Sequence, residues 1–175
     1  MQLPTAHGAL RSWRIEDAAA LVESGNNRNV WLTLRDIFPH PYTLADAETF
    51  LGRVVGLEPE LSFCVEVEGR MAGGIGLHMQ GDVHHRNAEL GYWLAQEFWG
   101  RGIMSSAVQV MVEYGFSNLP LERIEAYVFA NNPASARVLE KAAFVFEGRL
   151  RRNVLKDGEF LDSLVYARLR DDKRA

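Results

Sequence analysis

The stretch Glu89-Leu90-Gly91-Tyr92-Trp93-Leu94-Ala95-Gln96-Glu97-Phe98-Trp99-Gly100-Arg101-Gly102-Ile103-Met104 decides how this chain is read. An alternating run, 89–94, passes through a glycine turn into a helix-period stripe of Ile103, Ala107, Val110, Met111 and Tyr114. Strand, glycine turn and helix in immediate succession make an anion site. Glycines let main-chain N–H groups turn outward, and the helix N-terminus adds about half a positive charge. A polyanion can be held this way without many lysines. The turn lacks the Gly-Lys-Ser/Thr ending of a P-loop, and Ser105 stands where a dinucleotide fingerprint would place its third glycine. Glycines also punctuate ordinary strand-to-helix turns, so the motif takes its meaning from its surroundings.

On the N-terminal side, residues 61–67, 71–79 and 86–94 alternate with period two and are joined at Glu68-Gly69 and Gly81-Asp82, which predicts three antiparallel strands in sequence. Further upstream the pattern predicts a strand over 8–14 and a short helix over 16–22. A second helix is opened by the capping box Thr43-Leu44-Ala45-Asp46, with Leu44, Ala47, Leu51 and Val54 or Val55 on one face. On the C-terminal side the long helix stops at Ser117-Asn118-Leu119-Pro120. A strand over 123–128, the loop Asn131-Asn132-Pro133, a helix over 134–142 and a hairpin with arms 144–155 and 160–169 about Asp157-Gly158 complete the chain. The predicted fold class is α+β, a mixed α/β arrangement. A central, mostly antiparallel sheet is flanked by helices, and residues 87–128 form a parallel strand-helix-strand crossover.

A length of 175 residues fits one domain, expected to span 1–175. With 47% hydrophobic and 24% charged residues the composition is that of a globular protein, which excludes a disordered chain, a collagen and a coiled coil. A net charge of −4 and the lack of a Lys/Arg cluster argue against a general nucleic-acid or anionic-membrane binder. Cys64 is the only cysteine, so neither an intrachain disulfide nor a cysteine-based zinc site is available. His40, His78 and the pair His84-His85 read as isolated, and no metal is expected. The first thirty residues hold no uninterrupted apolar run and no window approaches 18 apolar residues, from which a cytoplasmic protein is expected.

Five segments in order carry a resemblance: Ala88 to Leu94, the turn Trp99-Gly100-Arg101-Gly102, Asn132-Pro133-Ala134-Ser135, Leu139 to Phe144, and Glu147-Gly148-Arg149 through Asp157-Gly158. Together they look like a GNAT-superfamily N-acetyltransferase. More narrowly they resemble the RimJ/RimL branch, whose named members acetylate N-terminal amines of ribosomal proteins. Leu10-Arg11-Ser12-Trp13-Arg14-Ile15-Glu16-Asp17 is similar to that branch's opening, so the likeness covers nearly the whole chain. It implies acetyl-CoA as co-substrate. Its pyrophosphate would lie on the turn through Phe98, Trp99, Gly100, Arg101, Gly102 and Ile103, and its pantetheine arm on the main chain of Trp93, Leu94 and Ala95. Asn132 would touch the arm, and Arg137 a coenzyme phosphate unless it simply faces solvent. Branch members are often dimers, so a homodimer is among the implied partners.

Acetyl transfer to an amine needs a neutral nucleophile, a stabilised oxyanion and a proton for the departing thiolate. By the resemblance, Glu89 stands where several of these enzymes carry the general base, and Ser135 where the leaving sulfur is protonated. Leu139 replaces the tyrosine that many of them use as the acid. Glu89 equally reads as a strand carboxylate paired with an arginine, and Asn132 or Ser135 as a helix cap. Ala143 departs from the glycine that commonly precedes the phenylalanine. An α-amine with a pKa near 7.8 is about one-seventh neutral at pH 7, against fewer than about one lysine-like amine in a thousand, so peptide N-termini are favoured over small-molecule amines such as polyamines. The acceptor wall is expected in 29–42, where Trp31, Arg35, Phe38 and Tyr42 line a loop or else cover the core. Two other classes remain: an acyl-CoA-binding module without turnover, and a nucleotide-binding oxidoreductase, which the incomplete fingerprint disfavours.

Overall fold

Among the residues the computed structural model describes, 1–172, eight strands form one sheet. β1 (Gln2–Thr5) and β2 (Gly8–Ser12) make a hairpin, followed by α1 (Ala18–Gly25), the single turn α2 (Arg28–Trp31) and α3 (Leu44–Val54). The strands β3 (Ser62–Val67), β4 (Arg70–Met79) and β5 (Asn87–Leu94) run as a meander. Then α4 (Ile103–Asn118) leads to β6 (Arg123–Phe129), and α5 (Pro133–Lys141) to the hairpin of β7 (Val145–Lys156) and β8 (Glu159–Leu169). The sheet order is β1-β2-β3-β4-β5-β6-β8-β7, and β5 with β6 is its one parallel pair. Parallel neighbours need a crossover, which α4 supplies.

Alternation along the strands sends side chains to two cores. Leu90 and Leu94 of β5 pack with Phe98, Val108, Met111, Leu121 and Leu139 under α4 and α5. Trp93 faces the other way, against Trp13, Leu21, Tyr42, Ala47 and Leu51 beneath α1 and α3. Thr43 and Asp46 cap α3 reciprocally: Asp46 N–H donates to Thr43 Oγ1 at 3.3 Å and Thr43 N–H to Asp46 Oδ2 at 2.8 Å. The apolar face of α3 differs by one turn from that expected. Leu44 at its first position is exposed, and Phe50 joins the packed side.

Two elements were absent from the sequence pattern. β1 is four residues long, contains Pro4 and sits at the sheet edge, so it carries no usable alternation. α2 is one turn, fixed by Asn27, whose Oδ1 accepts from the N–H groups of Asn29 and Val30 at 2.9 and 3.3 Å. Cys64 is fully buried on β3, and burial pushes its thiol up to about 12. No helix is long and apolar enough to cross a membrane.

Candidate active site where two parallel strands part

β5 and β6 pair only at Asn87–Arg123, Ala88–Ile124 and Glu89–Glu125, and beyond this point the strands diverge. β5 stays paired to β4 as far as Leu94. Ladder bonds alternate in an antiparallel pair, and Ala95 N–H to Ala72 O (2.8 Å) and Gln80 N–H to Asn87 O (3.0 Å) set their phase. The main-chain groups of Trp93 and Ala95 therefore point at β4, while those of Leu90, Tyr92 and Leu94 point into the opening. Of the main-chain groups expected to meet the pantetheine arm, those of Leu94 face the opening, as do those of Tyr92, whereas those of Trp93 and Ala95 face β4.

The glycine turn closes the far end of the opening. Gly100 and Gly102 have φ of +75° and +76°, a left-handed conformation that costs a residue with a Cβ about 1–2 kcal/mol. Gly102 is the N-cap of α4 and offers no side chain, so the first N–H groups of that helix stay open, as do those of Gly100, Arg101 and Gly102 within the described residues. Such a cradle fits a pyrophosphate. Phe98 was expected to join it, but its ring is buried and its N–H is bonded to Ala95 O at 3.0 Å, so it anchors the turn instead. Trp99 does the same from outside, donating Nε1–H to Leu94 O at 2.7 Å. The Arg101 side chain pairs with Glu68 at 3.0 Å and Glu97 with Arg70 at 2.6 Å. His7 approaches the turn from the β1–β2 connection, 3.4 Å from where a Cβ on Gly102 would lie.

Glu89 stands at the fork on the α1–α3 face, its side chain 22% exposed and ion-paired with Arg35. Its neighbour in the parallel register, Glu125, is already consumed. Gln80 Nε2 (2.8 Å), Arg123 Nε (3.0 Å) and the Tyr127 hydroxyl (3.2 Å) all donate to it. Burial first, then the charges of Glu125 and Glu89, raise the Tyr127 phenol above its usual range. His78 is not isolated. It lies directly opposite Glu89 on β4, and its Nε2 would be 3.3 Å from a Cβ on Gly91, so the missing side chain of Gly91 is the space the imidazole uses.

On the opposite face, Ser135 Oγ lies 2.8 Å from the Tyr92 hydroxyl, which is also 3.3 Å from the Ser135 carbonyl O. Burial pushes the Tyr92 phenol up to about 12, although the Ser135 hydrogen bond opposes the shift. Asn132 is the N-cap of α5, its Oδ1 accepting from Ser135 N–H at 3.2 Å. Capping thus falls to Asn132 and leaves the Ser135 hydroxyl for Tyr92. Leu139 is fully buried, and Arg137 is exposed with no partner among the described residues.

A family description, Acetyltransferase (GNAT) domain, matches residues 9–145 of this chain. The chain belongs to the GNAT acetyltransferases. This GNAT chain is 30% identical to the N-acetyltransferase p20 of Bacillus licheniformis over 96% of each sequence. Its matches to three Bacillus subtilis relatives span about half of those chains, 54, 56 and 48%. Among solved structures it is similar to the spermidine N-acetyltransferase of Vibrio cholerae in complex with CoA and spermine, with 26% identity and a TM-score of 0.77 over 92% of this chain and 94% of that one. It shares its fold with the ribosomal-protein-S5-alanine acetyltransferase of Vibrio fischeri, at 24% identity and a TM-score of 0.83 over 100% of both. The two names carry different acceptors, a polyamine and a ribosomal protein.

The four residues expected to form the GNAT acceptor wall divide into two sets. Tyr42 is buried and Phe38 stacks on it at 4.5 Å and against Trp93 at 5.3 Å, so these two cover the core. Arg35 reaches the fork through Glu89, and Trp31 packs against the tip of the β7–β8 hairpin. The Trp31 ring carries the Lys156 ammonium 3.6 Å from its centre and stacks with His40 at 5.7 Å. Lys156, 2% exposed, also donates to Asp36 at 2.6 Å, and Arg28 pairs with Asp157 at 2.5 Å, so the tip of the β7–β8 hairpin holds the wall. The sequence reading gave Lys156 and Tyr92 no role and took His78 as isolated. Only His78 had a signal there: the hairpin turn at Gly81-Asp82 sets a register that places it opposite Glu89.

Proposed function

We propose that the protein moves the acetyl group of acetyl-CoA to a primary amine, with an α-amine such as a protein or peptide N-terminus as acceptor, by direct attack in a ternary complex. One observation carries this reading: at the fork of β5 and β6, a carboxylate stands on one face of β5 and a hydroxyl pair on the other. When bound, acetyl-CoA supplies an activated acyl carbon and a thiolate leaving group. The N–H groups of Gly100, Arg101, Gly102 and Ile103 would hold its pyrophosphate, and the main chain of Tyr92 with the N–H of Leu94 would hold its arm.

Glu89, directly or through a water, accepts the proton that the amine gives up as the carbon–nitrogen bond forms and the carbon–sulfur bond breaks. Ser135 directs its O–H as a hydrogen bond to the departing sulfur, and Tyr92 supports Ser135 in turn. Both hydroxyls hold their protons more tightly than a thiol of pKa near 8.5, so they steady the thiolate, which takes its proton from solvent. The products are the amide and the free thiol, with one proton released for each ammonium consumed.

The test is free-thiol release from saturating acetyl-CoA with a panel of amines, beside the melting temperature with and without acetyl-CoA. Ligand at a hundred times its Kd stabilises by about 2.7 kcal/mol, a rise of a few degrees at this size. Thiol release that needs both an amine and Glu89 is the expected result. No shift at millimolar acetyl-CoA would sink the reading.

A further inference from the structure

We propose that the acceptor carries a carboxylate close beside its amine, and that Arg35 receives this carboxylate by leaving Glu89. The inference rests on the transfer reading above and names the substrate class it serves.

Three cations belong to the acceptor wall and the hairpin tip that holds it. Arg28 is tied to Asp157, and Lys156 is buried between Asp36 and the Trp31 ring. Both join wall to hairpin. Arg35 differs, because its partner is the carboxylate proposed as the base and its own side chain is 60% exposed on a loop. An exposed pair of this kind is weakly held and exchanges readily.

Arg35 engages one oxygen of Glu89, and an ammonium drawn to that oxygen competes with the guanidinium for it. A simple amine arriving as ammonium would satisfy Glu89 and leave Arg35 as an unpaired cation beside it. A polyamine would add further positive charge to the same space. Glu125 cannot absorb that charge, being already bound by Arg123, Gln80 and Tyr127. His78, opposite Glu89, adds no anion. An acceptor with both charges exchanges partners one for one: its ammonium takes Glu89, and its carboxylate takes the planar fork of Arg35, which suits a carboxylate in bidentate fashion. Binding of the right acceptor then uncovers the base. Either a free amino acid or a peptide beginning with an acidic residue presents this chemistry.

The experiment measures thiol release by the intact protein at saturating acetyl-CoA with matched acceptors. L-alanine is set against L-alaninamide, the tripeptide amide aspartyl-alanyl-alanine against alanyl-alanyl-alanine, and spermidine against all four. In at least one pair the carboxylate member should have a kcat/KM about tenfold higher, expressed mainly in KM. Arg35→Gln should erase that ratio and Arg35→Lys restore part of it, while both variants keep the acetyl-CoA-induced rise in melting temperature. The pair that responds tells amino acid from peptide. Equal values within both pairs, or a preference for spermidine, would overturn the inference and leave the transfer reading intact. If no amine releases thiol, melting temperatures with coenzyme A plus each acceptor decide. A shift by the carboxylate member that Arg35→Gln abolishes supports the inference while the transfer reading falls, and no shift overturns both.

Discussion

Glu89 and Tyr92 lie on the same strand and face opposite sides of the sheet, and their surroundings differ in kind. Tyr92 meets a hydroxyl carried by a capped helix, next to Leu139 and the α4 core. Glu89 meets an exposed arginine on a loop, an exposed histidine and the open side of the fork. The difference matches what each side has to bind. The leaving sulfur is the same in every turnover, so the groups that serve it can be packed and hydrogen-bonded in advance at no loss of scope. The acceptor has to enter and leave, and a screened ion pair is a contact that yields to it.

The comparison breaks most sharply at Glu89. Glu89→Gln keeps the shape but removes the proton acceptor, and should lower kcat by about 10²–10³-fold at neutral pH while leaving the Kd for acetyl-CoA unchanged. Rapid-mix thiol release with equilibrium binding checks this. A loss of acetyl-CoA affinity instead would mean that the two faces are not separate.

The packed side should respond less, and as a unit. Ser135→Ala and Tyr92→Phe should each lower kcat by about tenfold with little change in acceptor KM, and the double variant should cost no more than the worse single one, because the hydroxyls act through each other. Tyr92 also leaves a mark on stability. Its folded pKa, about 12, lies above the ordinary 10, so the protonated form is favoured by the fold; this contribution is complete below pH 10 and is lost as the pH rises from 10 towards 12. Tyr92→Phe should therefore flatten alkaline unfolding in that window, as measured by urea melts at graded pH.

A smaller effect is expected where the open side is held. Lys156→Met replaces a buried ammonium with an apolar stem of similar length, and the partner Asp36 is left largely in water, 70% exposed. Trp31 keeps its packing but loses a cation on its face. Acceptor KM should rise by about two- to fivefold with kcat and acetyl-CoA binding unaltered, a change that steady-state kinetics with the preferred amine would detect.

The sequence carried the packed side further than the open one, for reasons that can be traced residue by residue. Alternation in 89–94 and the stripe from Ile103 follow local periods, so the strand, turn and helix, and the burial of Leu90, Leu94 and Ile103, were readable. Glu89 and Ser135 came with the family resemblance, and the glycines with turn stereochemistry. Contacts between distant segments left no local trace. Tyr92 with Ser135 spans 43 residues, Arg35 with Glu89 spans 54, and Lys156 with Asp36 spans 120. Which main-chain groups of β5 face the opening also depended on ladder phase, which composition does not encode.

The finest test separates stability from chemistry on the packed side. Ala143 follows α5 with φ of +61°, and Phe144 N–H reaches back to Leu139 O at 3.0 Å, as at a helix end normally closed by glycine. The methyl group in this left-handed conformation costs about 1–2 kcal/mol, and Ala143→Gly should recover about half of it after the greater freedom of glycine in the unfolded chain is set against it. The expected gain is a rise in melting temperature of about 1–2 °C. Ser135 sits at the other end of the same helix and is already fixed by Asn132 and Tyr92. If that preorganisation is complete, a firmer exit from α5 changes neither kcat nor KM. A variant that became more stable and also faster would mean that α5 still moves relative to β5 during turnover, and that the packed side is less rigid than its hydrogen bonds imply.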